Sequence, residues 1–368
     1  MNILHIYKDY FPVLGGIENH VRLLAEAQAA GGHTVSVLVT SPDRQTHLDQ
    51  RNGVRVIYAA RLATVASTPL SLALPLRLRR ERPDIAHLHF PYPVGDAAQR
   101  FFGRARRTVI TYHSDIVRQK RLVQFYAPLL RGTLARADAI IATSPRYVET
   151  SPFLAPVAGK VTVIPYGIDA ARFAVADPAA VAAVRARYPG PLLLFVGQLR
   201  YYKGVEFLIR ALAQVPVATT LLVGGESSTQ RSELEALAQS LGLAERVQFL
   251  GQRDAELPVL YHAADVFVLP SIERSEAFAI VQLEAMAAGR PVVSCDVGTG
   301  VAWVNQHGQT GLVVPPRQPE ALAAALNELL ADPARRAALG AAGRARVQAH
   351  FTQARMLAAI DALYAGLL

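Results

Sequence analysis

The chain has 368 residues, too many for one ordinary hydrophobic core, and its length predicts two α/β domains of roughly 170–180 residues each. Its 51% apolar and 18% charged residues, with no low-complexity stretch, exclude a disordered or fibrous protein. The single Cys295 excludes an intrachain disulfide, and with no Cys/His pair at zinc-ligand spacing it points to a reducing, cytoplasmic setting with no bound metal.

The first residues, MNILHIY, read as a β-strand, and charges at Lys8 and Asp9 interrupt any signal-peptide core. Further strands are expected in HTVSVLVT, VRVIYA, IAHLHF, TVITYH, AIIATS and VTVIPYG. Amphipathic helical stretches separate them, the pattern of βαβ units around parallel sheets. The apolar stretch 63–76 covers 14 residues broken by Pro69 and Pro75, too short for a bilayer. After VIPYGIDAARF the strand pattern gives way to the Ala/Pro-containing stretch 174–191. A hinge is therefore expected at 169–177, with domains at 1–172 and 173–352. The second half repeats the pattern in LLLFVG, TTLLVGG, VQFLG, VFVLPS, PVVSCD and GLVVPP. The last apolar helix, about 353–368, has an amphipathic pattern compatible with packing back on the first domain.

The net charge of +9 is one-sided: residues 1–180 carry 22 Lys and Arg against 13 Asp and Glu, the remainder 16 against 16. The excess gathers at Arg77, Arg79, Arg80 and Arg82, at Arg100, Arg104, Arg106 and Arg107, and at Arg118, Lys120 and Arg121. Such runs are either solvated faces or a surface that meets lipid headgroups or a diphosphate-bearing acceptor. Nucleic acid is not expected, because no aromatic-rich basic platform or helix-turn-helix pattern accompanies the charge.

Open parallel sheets bind ligands where the loops gather at the strands' carboxyl ends, and four segments lie there. In FPVLGGIENHVRLLAEA, Gly15 and Gly16 join a strand to a helix; they are a tight turn or a place where amide N–H groups meet a phosphate. FVGQLRYYKGVEFLIRAL repeats this with Lys203 and Arg200 beside Gly197 and Gly204, surface cations or the neutralising charge for a departing diphosphate. PSIERSEAFAIVQLEAMAAGRPVV sets a loop-borne Glu276 eight positions before a helix-borne Glu284, either two unrelated surface glutamates or carboxylates facing one ligand. The helix is expected to pack close to its sheet through the small run 285–289. VITYHSDI places His113 and Asp115 after a first-domain strand, as capping or core residues or as polar groups near a reacting sugar.

Taken with VIPYGIDAARF and GQTGLVVPPRQPEAL, these segments resemble the retaining glycosyltransferases of family 4 over essentially the whole chain. That resemblance implies the GT-B architecture, two Rossmann-like β/α/β domains facing a central cleft. It also implies a nucleotide-sugar donor, catalytic roles for Glu276, His113 and Lys203, and donor contacts from Gly15, Gly16, Gln198, Arg200, Lys203, Phe278, Ala279 and Glu284. Glu276 would touch sugar hydroxyls, Glu284 the ribose, and Lys203 the diphosphate together with the Gly15 and Gly16 amides. His113, Phe278 and Ala279 would line the sugar, with Asp115 on the acceptor side. Gln198 departs from the family, which usually carries arginine after the VG pair, so one charge on the diphosphate is missing and Arg200 is the candidate replacement.

No Asp-x-Asp occurs, so no divalent ion and no cofactor is expected on the diphosphate. No carboxylate nucleophile stands out in the motifs, which favours a front-face displacement. WVNQHGQTGLVVPP and YHSDIVRQKR resemble bacterial enzymes of surface-polysaccharide assembly, which points to GDP-mannose as donor. A lipid-linked or oligosaccharide acceptor would suit the basic first domain, on the inner face of the membrane. A nucleotide-sugar epimerase of the same architecture and a non-catalytic nucleotide-sugar sensor are the competing readings.

Overall fold

A computed structural model describes residues 1–13, 15–66, 68–117, 120–216, 218–224 and 228–368, without the side chains of residues 120–122 and 228–229. Arg118 and the side chains of Lys120 and Arg121 therefore lie outside it. The chain forms two compact units, Met1–Pro165 with Met356–Leu368, and Tyr166–Arg355. The break at 165/166 precedes the expected hinge at 169–177 and the expected boundary at 172/173, and most of the final helix, from Met356 onward, belongs to the first unit.

The first unit is built on β1 (Asn2–Ile6), β2 (Thr34–Thr40), β3 (His47–Arg51), β4 (Val54–Ala59), β7 (Ile85–Phe90), β8 (Arg107–Tyr112), β9 (Ala139–Ala142) and β10 (Val161–Val163), in the order β10-β9-β8-β7-β1-β2-β4-β3. The ladder is parallel apart from β3, which runs antiparallel along β4 at the edge. β3 escapes sequence reading because its residues, HLDQR, are mostly exposed and show no apolar alternation. A short antiparallel hairpin, β5 (Ala63–Val65) and β6 (Thr68–Leu70), is likewise additional. Around the sheet lie α1 (Gly16–Ala30), α2 (Ala73–Leu78), α3 (Pro93–Phe102), α4 (Lys120–Arg136) and the final helix Gln353–Leu367. Val21 and Ala25 of α1 pack on Val35, Val37 and Val56, a core of β-branched residues that parallel strands buried on both faces require.

The second unit carries β11 (Leu192–Val196), β12 (Thr219–Val223), β13 (Val247–Gly251), β14 (Val266–Leu269), β15 (Val292–Cys295) and β16 (Gly311–Val314), all parallel, in the order β13-β12-β11-β14-β15-β16. β11 stands where the strand order reverses, the position outside which open α/β sheets bind ligands. The free Cys295 is buried in β15. Among the described residues no helix is long and apolar enough to cross a membrane.

One interior carboxyl makes the fold sensitive to pH. Asp96 in the first turn of α3 is 2% exposed, and burial pushes its carboxyl up to about 7, against the opposing effect of a hydrogen bond from the Tyr126 hydroxyl. The unfolded chain gives up this proton near the ordinary 3.8, whereas the folded chain keeps it to about 7. Stability from this group is thus complete below about pH 4 and falls as pH rises to 7. Asp96→Asn should match the native chain in urea unfolding at pH 4 and exceed it by roughly 2–4 kcal/mol at pH 8; equal stability at both values would contradict the assignment.

Candidate active site

In the second unit, the chain leaving β11 turns through Gly197 (φ +154°), makes one 3-10 turn at Tyr201–Lys203, and enters the helix Val205–Leu212 through Gly204 in the left-handed region (φ +65°). Gly204 is required twice over, because a Cβ there would stand 2.1 Å from the Pro270 carbonyl oxygen. This close approach lets the loop after β14 lie against it, and the Ile272 amide donates to the Tyr202 carbonyl at 2.8 Å. The two loops thereby bring Lys203 and Glu276 together.

Lys203 Nζ lies 2.5 Å from Glu276 Oε2, and both residues are almost fully buried. The Ser271 hydroxyl donates to the same carboxylate at 2.8 Å, and Thr299 Oγ1 donates to the Glu276 carbonyl at 2.6 Å. Burial works against the ammonium charge, but the Glu276 carboxylate, with Tyr202, outweighs it and holds the Lys203 pKa above its ordinary value. A cation so held stays charged at any physiological pH, and its three protons allow a second acceptor beside Glu276. Gln198 and Arg200 on the same loop are exposed, and Arg200 faces a cavity of about 410 Å³ with Tyr201, Glu206, Arg210 and Arg317.

Glu284 sits in the helix Ile280–Ala287, one face of which is buried against the sheet. Its carboxylate accepts from Tyr261 Oη at 2.8 Å, and burial raises its pKa although that hydrogen bond acts the other way. Ala279 caps this helix at φ +60°, a conformation that alanine adopts only under constraint from its surroundings. Phe278 beside it is buried and meets Tyr166 edge to face at 5.1 Å between centroids.

In the first unit, Gly15 caps α1 without a side-chain partner, and Gly16 is open to solvent. A Cβ on Gly15 would lie 2.1 Å from Glu18 Oε2, so the glycine makes room for a carboxylate at the positive end of this helix, with Lys8 3.7 Å from it. His113 follows β8 and is buried. Asp115 accepts from the Tyr112 and Ser151 hydroxyls at 2.8 Å each, and its amide donates to Tyr147 Oη.

Sequence reading missed the surroundings of His113. His5, His20, His87, His89 and His113 form one buried cluster on α1, β1, β7 and the end of β8. Two triplets, His5 with His87 and His89, and His20 with His89 and His113, have ring nitrogens within 4.8 Å of one another. The signal was present in NILHIY and IAHLHF, where histidines stand among residues that a parallel strand buries on both sides.

Two Rossmann-like units, the second with a glycine-bounded cationic loop against a buried carboxylate at its switch point, define the GT-B class of glycosyltransferase. Comparison with known proteins agrees. Residues 14–172 match the model described as Glycosyltransferase Family 4, and residues 182–346 match that described as Glycosyl transferases group 1. The chain is 37% identical over 372 residues, covering 100% of it and 99% of the relative, to the O-antigen chain mannosyltransferase C of Escherichia coli. It is also 37% identical to the D-rhamnosyltransferase WbpZ of Pseudomonas aeruginosa, over 96% of the chain and 92% of the relative. Among solved structures, the sucrose-phosphate synthase of Thermosynechococcus elongatus superposes with a TM-score of 0.85 at 29% identity, covering 99% of this chain and 98% of that one. The protein belongs to glycosyltransferase family 4 and is a glycosyltransferase.

Gly204→Ala tests the loop geometry. The added methyl meets a backbone carbonyl and the φ is unfavourable for alanine, so unfolding in urea should show a loss of roughly 1–3 kcal/mol with transferase activity lost in parallel. Native-like stability and turnover would mean that the two loops are not pinned together.

Proposed function

We propose that the protein is a retaining, metal-independent hexosyltransferase that moves mannose, or a closely related hexose, from a GDP-sugar to a lipid-linked or polysaccharide acceptor in O-antigen-type assembly. The observation that carries this reading is the buried Lys203–Glu276 pair; the names of the two relatives favour the sugar and the acceptor class.

In this mechanism the Lys203 ammonium keeps Glu276 as one partner and donates a second hydrogen bond to the donor's diphosphate, its charge offsetting the one that grows as the sugar departs. Glu276 receives a sugar hydroxyl, Glu284, oriented by Tyr261, receives the ribose hydroxyls, and Phe278 with Ala279 shapes the sugar pocket. From the first unit, the amides of Gly15 and Gly16 offer further phosphate donors and His113 a group for the sugar, with Asp115 toward the acceptor. Arg200 supplies the charge absent at Gln198. No metal or other cofactor takes part. The bond from the anomeric carbon to the phosphate oxygen breaks while the acceptor oxygen attacks from the same face, and the departing phosphate oxygen takes the acceptor's proton. The configuration is thereby retained without a glycosyl-enzyme.

A panel of nucleotide-sugars with a polyprenyl-diphosphate-linked acceptor tests this directly. Transfer from GDP-mannose should persist in excess chelator and leave the product α-configured. Lys203→Ala should lose about 100-fold or more in kcat, and Glu284→Ala should weaken donor binding by roughly 1.5–3 kcal/mol. Abolition by chelator, a trapped glycosyl-enzyme, or donor turnover without an acceptor would each overturn the reading.

We further propose that the first unit rests on an anionic membrane surface. Leu72 and Leu76, beside and within α2, Phe101 and Phe102 at the end of α3, and Phe125 in α4 are exposed on helices that pack as neighbours, Phe125 by 85%. Exposed Arg79, Arg80, Arg82 and Arg104 accompany them. Apolar side chains flanked by arginine suit the boundary between headgroups and acyl chains. Sedimentation with phosphatidylglycerol vesicles should exceed that with phosphatidylcholine, fall in high salt, and drop roughly tenfold in Phe101→Ser/Phe125→Ser. Equal partitioning to both vesicles would contradict it.

A further inference from the structure

Apart from Arg200, the walls of the second unit's cavity take no part in the mechanism above. The cavity measures about 410 Å³ and lies between two neighbouring helices, Val205–Leu212 and Ser228–Ser240. The loops after β11, β14 and β16 border it with Arg200, Tyr201, Glu273 and Arg317. It therefore opens at the carboxyl end of the sheet, on the same loops that carry Lys203 and Glu276. Its volume falls in the range of sites that hold small organic ligands.

The lining tells which class of ligand suits it. The floor is apolar, formed by the buried Leu199, Val205, Leu234 and Ile272. Six charged side chains surround that floor, the arginines 200, 210 and 317 and the glutamates 206, 233 and 273. Glu273 accepts from Arg317 at 3.0 Å and from Tyr201 Oη at 2.9 Å. Arg317 does so from the left-handed region (φ +61°), which a long side chain occupies only when its surroundings hold it there. Arg200, Arg210, Glu206 and Glu233 form no ion pair among the described residues. Donors that only donate and acceptors that only accept thus face one apolar floor.

An ion of either sign would be attracted by half of these groups and repelled by the other half. With Arg200 turned to the donor's diphosphate, as proposed above, two cations remain against three carboxylates, which disfavours an anion further. A hydroxyl both gives and receives, so a polyhydroxylated ligand satisfies guanidinium and carboxylate together. A pyranose also has C–H faces to lay on the floor and against the exposed ring of Tyr201. We propose that this cavity is a saccharide subsite, which holds an uncharged stretch of the glycan acceptor beside the loops of Lys203 and Glu276. Its use in transfer rests on the acceptor class proposed above; its occupation by sugar does not.

Hydrogen exchange of the full chain with and without α-mannotriose reads the site without catalysis. The sugar should slow exchange in both helices, and Arg210→Ala/Glu233→Ala, on exposed helix faces, should weaken its binding roughly tenfold. In transfer, the native KM for a lipid-linked acceptor bearing several mannoses should lie roughly tenfold below that for one bearing a single mannose. The double variant should erase this difference at unchanged kcat. Absence of protection in the two helices, protection by pyrophosphate in place of mannotriose, or a length preference that survives the double variant overturns the subsite. Protection by mannotriose with no transfer to either acceptor upholds the subsite and refutes the acceptor class.

Discussion

A lysine and a glutamate, each almost wholly withdrawn from water, meet at 2.5 Å in the second unit, and the local backbone is arranged to keep them there. Removing one partner of such a pair leaves an uncompensated charge and costs about 3–5 kcal/mol, so the loops that carry them are held as firmly as the core. Gly204 admits the Pro270 carbonyl, Tyr202 receives the Ile272 amide, and Ser271 and Thr299 fix the carboxylate and its backbone. These contacts keep a full positive charge in low-dielectric surroundings, where its pull on a phosphate oxygen is greater than in water.

The first unit solves a different problem. Its site end holds no buried ion pair of this kind among the described residues; it is furnished with imidazoles that burial keeps uncharged. Neutral rings carry directional hydrogen bonds without placing charge in the unit's interior. The basic residues of this unit are kept on its surface, some in pairs such as Arg106 with Asp84 and Arg107 with Asp138. Exposed pairs of this sort contribute little to stability, which leaves the surface free to be shaped by what it meets.

Most of the architecture was legible because parallel strands buried on both faces leave unbroken apolar runs: every run read from the sequence contains a strand. β3 was not legible, since an exposed edge strand needs no apolar face. The position of Lys203 and Glu276 on loops after β11 and β14 could be read from glycine and strand order, but their mutual contact could not, because they are 73 residues apart and joined only by the sheet's reversal at β11. The engagement of Asp115 by Tyr112 and Ser151, and of Glu284 by Tyr261, likewise arises from neighbours distant in sequence. The histidine cluster was visible letter by letter and unreadable as a unit, for it is the strand register, with His5 opposite His87, that brings the histidines of β1 and β7 together.

The central claim is that Lys203 is shared between Glu276 and the diphosphate of the donor. Calorimetric titration of GDP into the native chain, Glu276→Gln and Lys203→Met measures this most directly. With the competing carboxylate gone, Glu276→Gln should bind GDP roughly five- to tenfold more tightly while transferring no sugar, and Lys203→Met should bind it at least tenfold more weakly. Weaker binding by Glu276→Gln, or unaltered binding by Lys203→Met, would contradict the account.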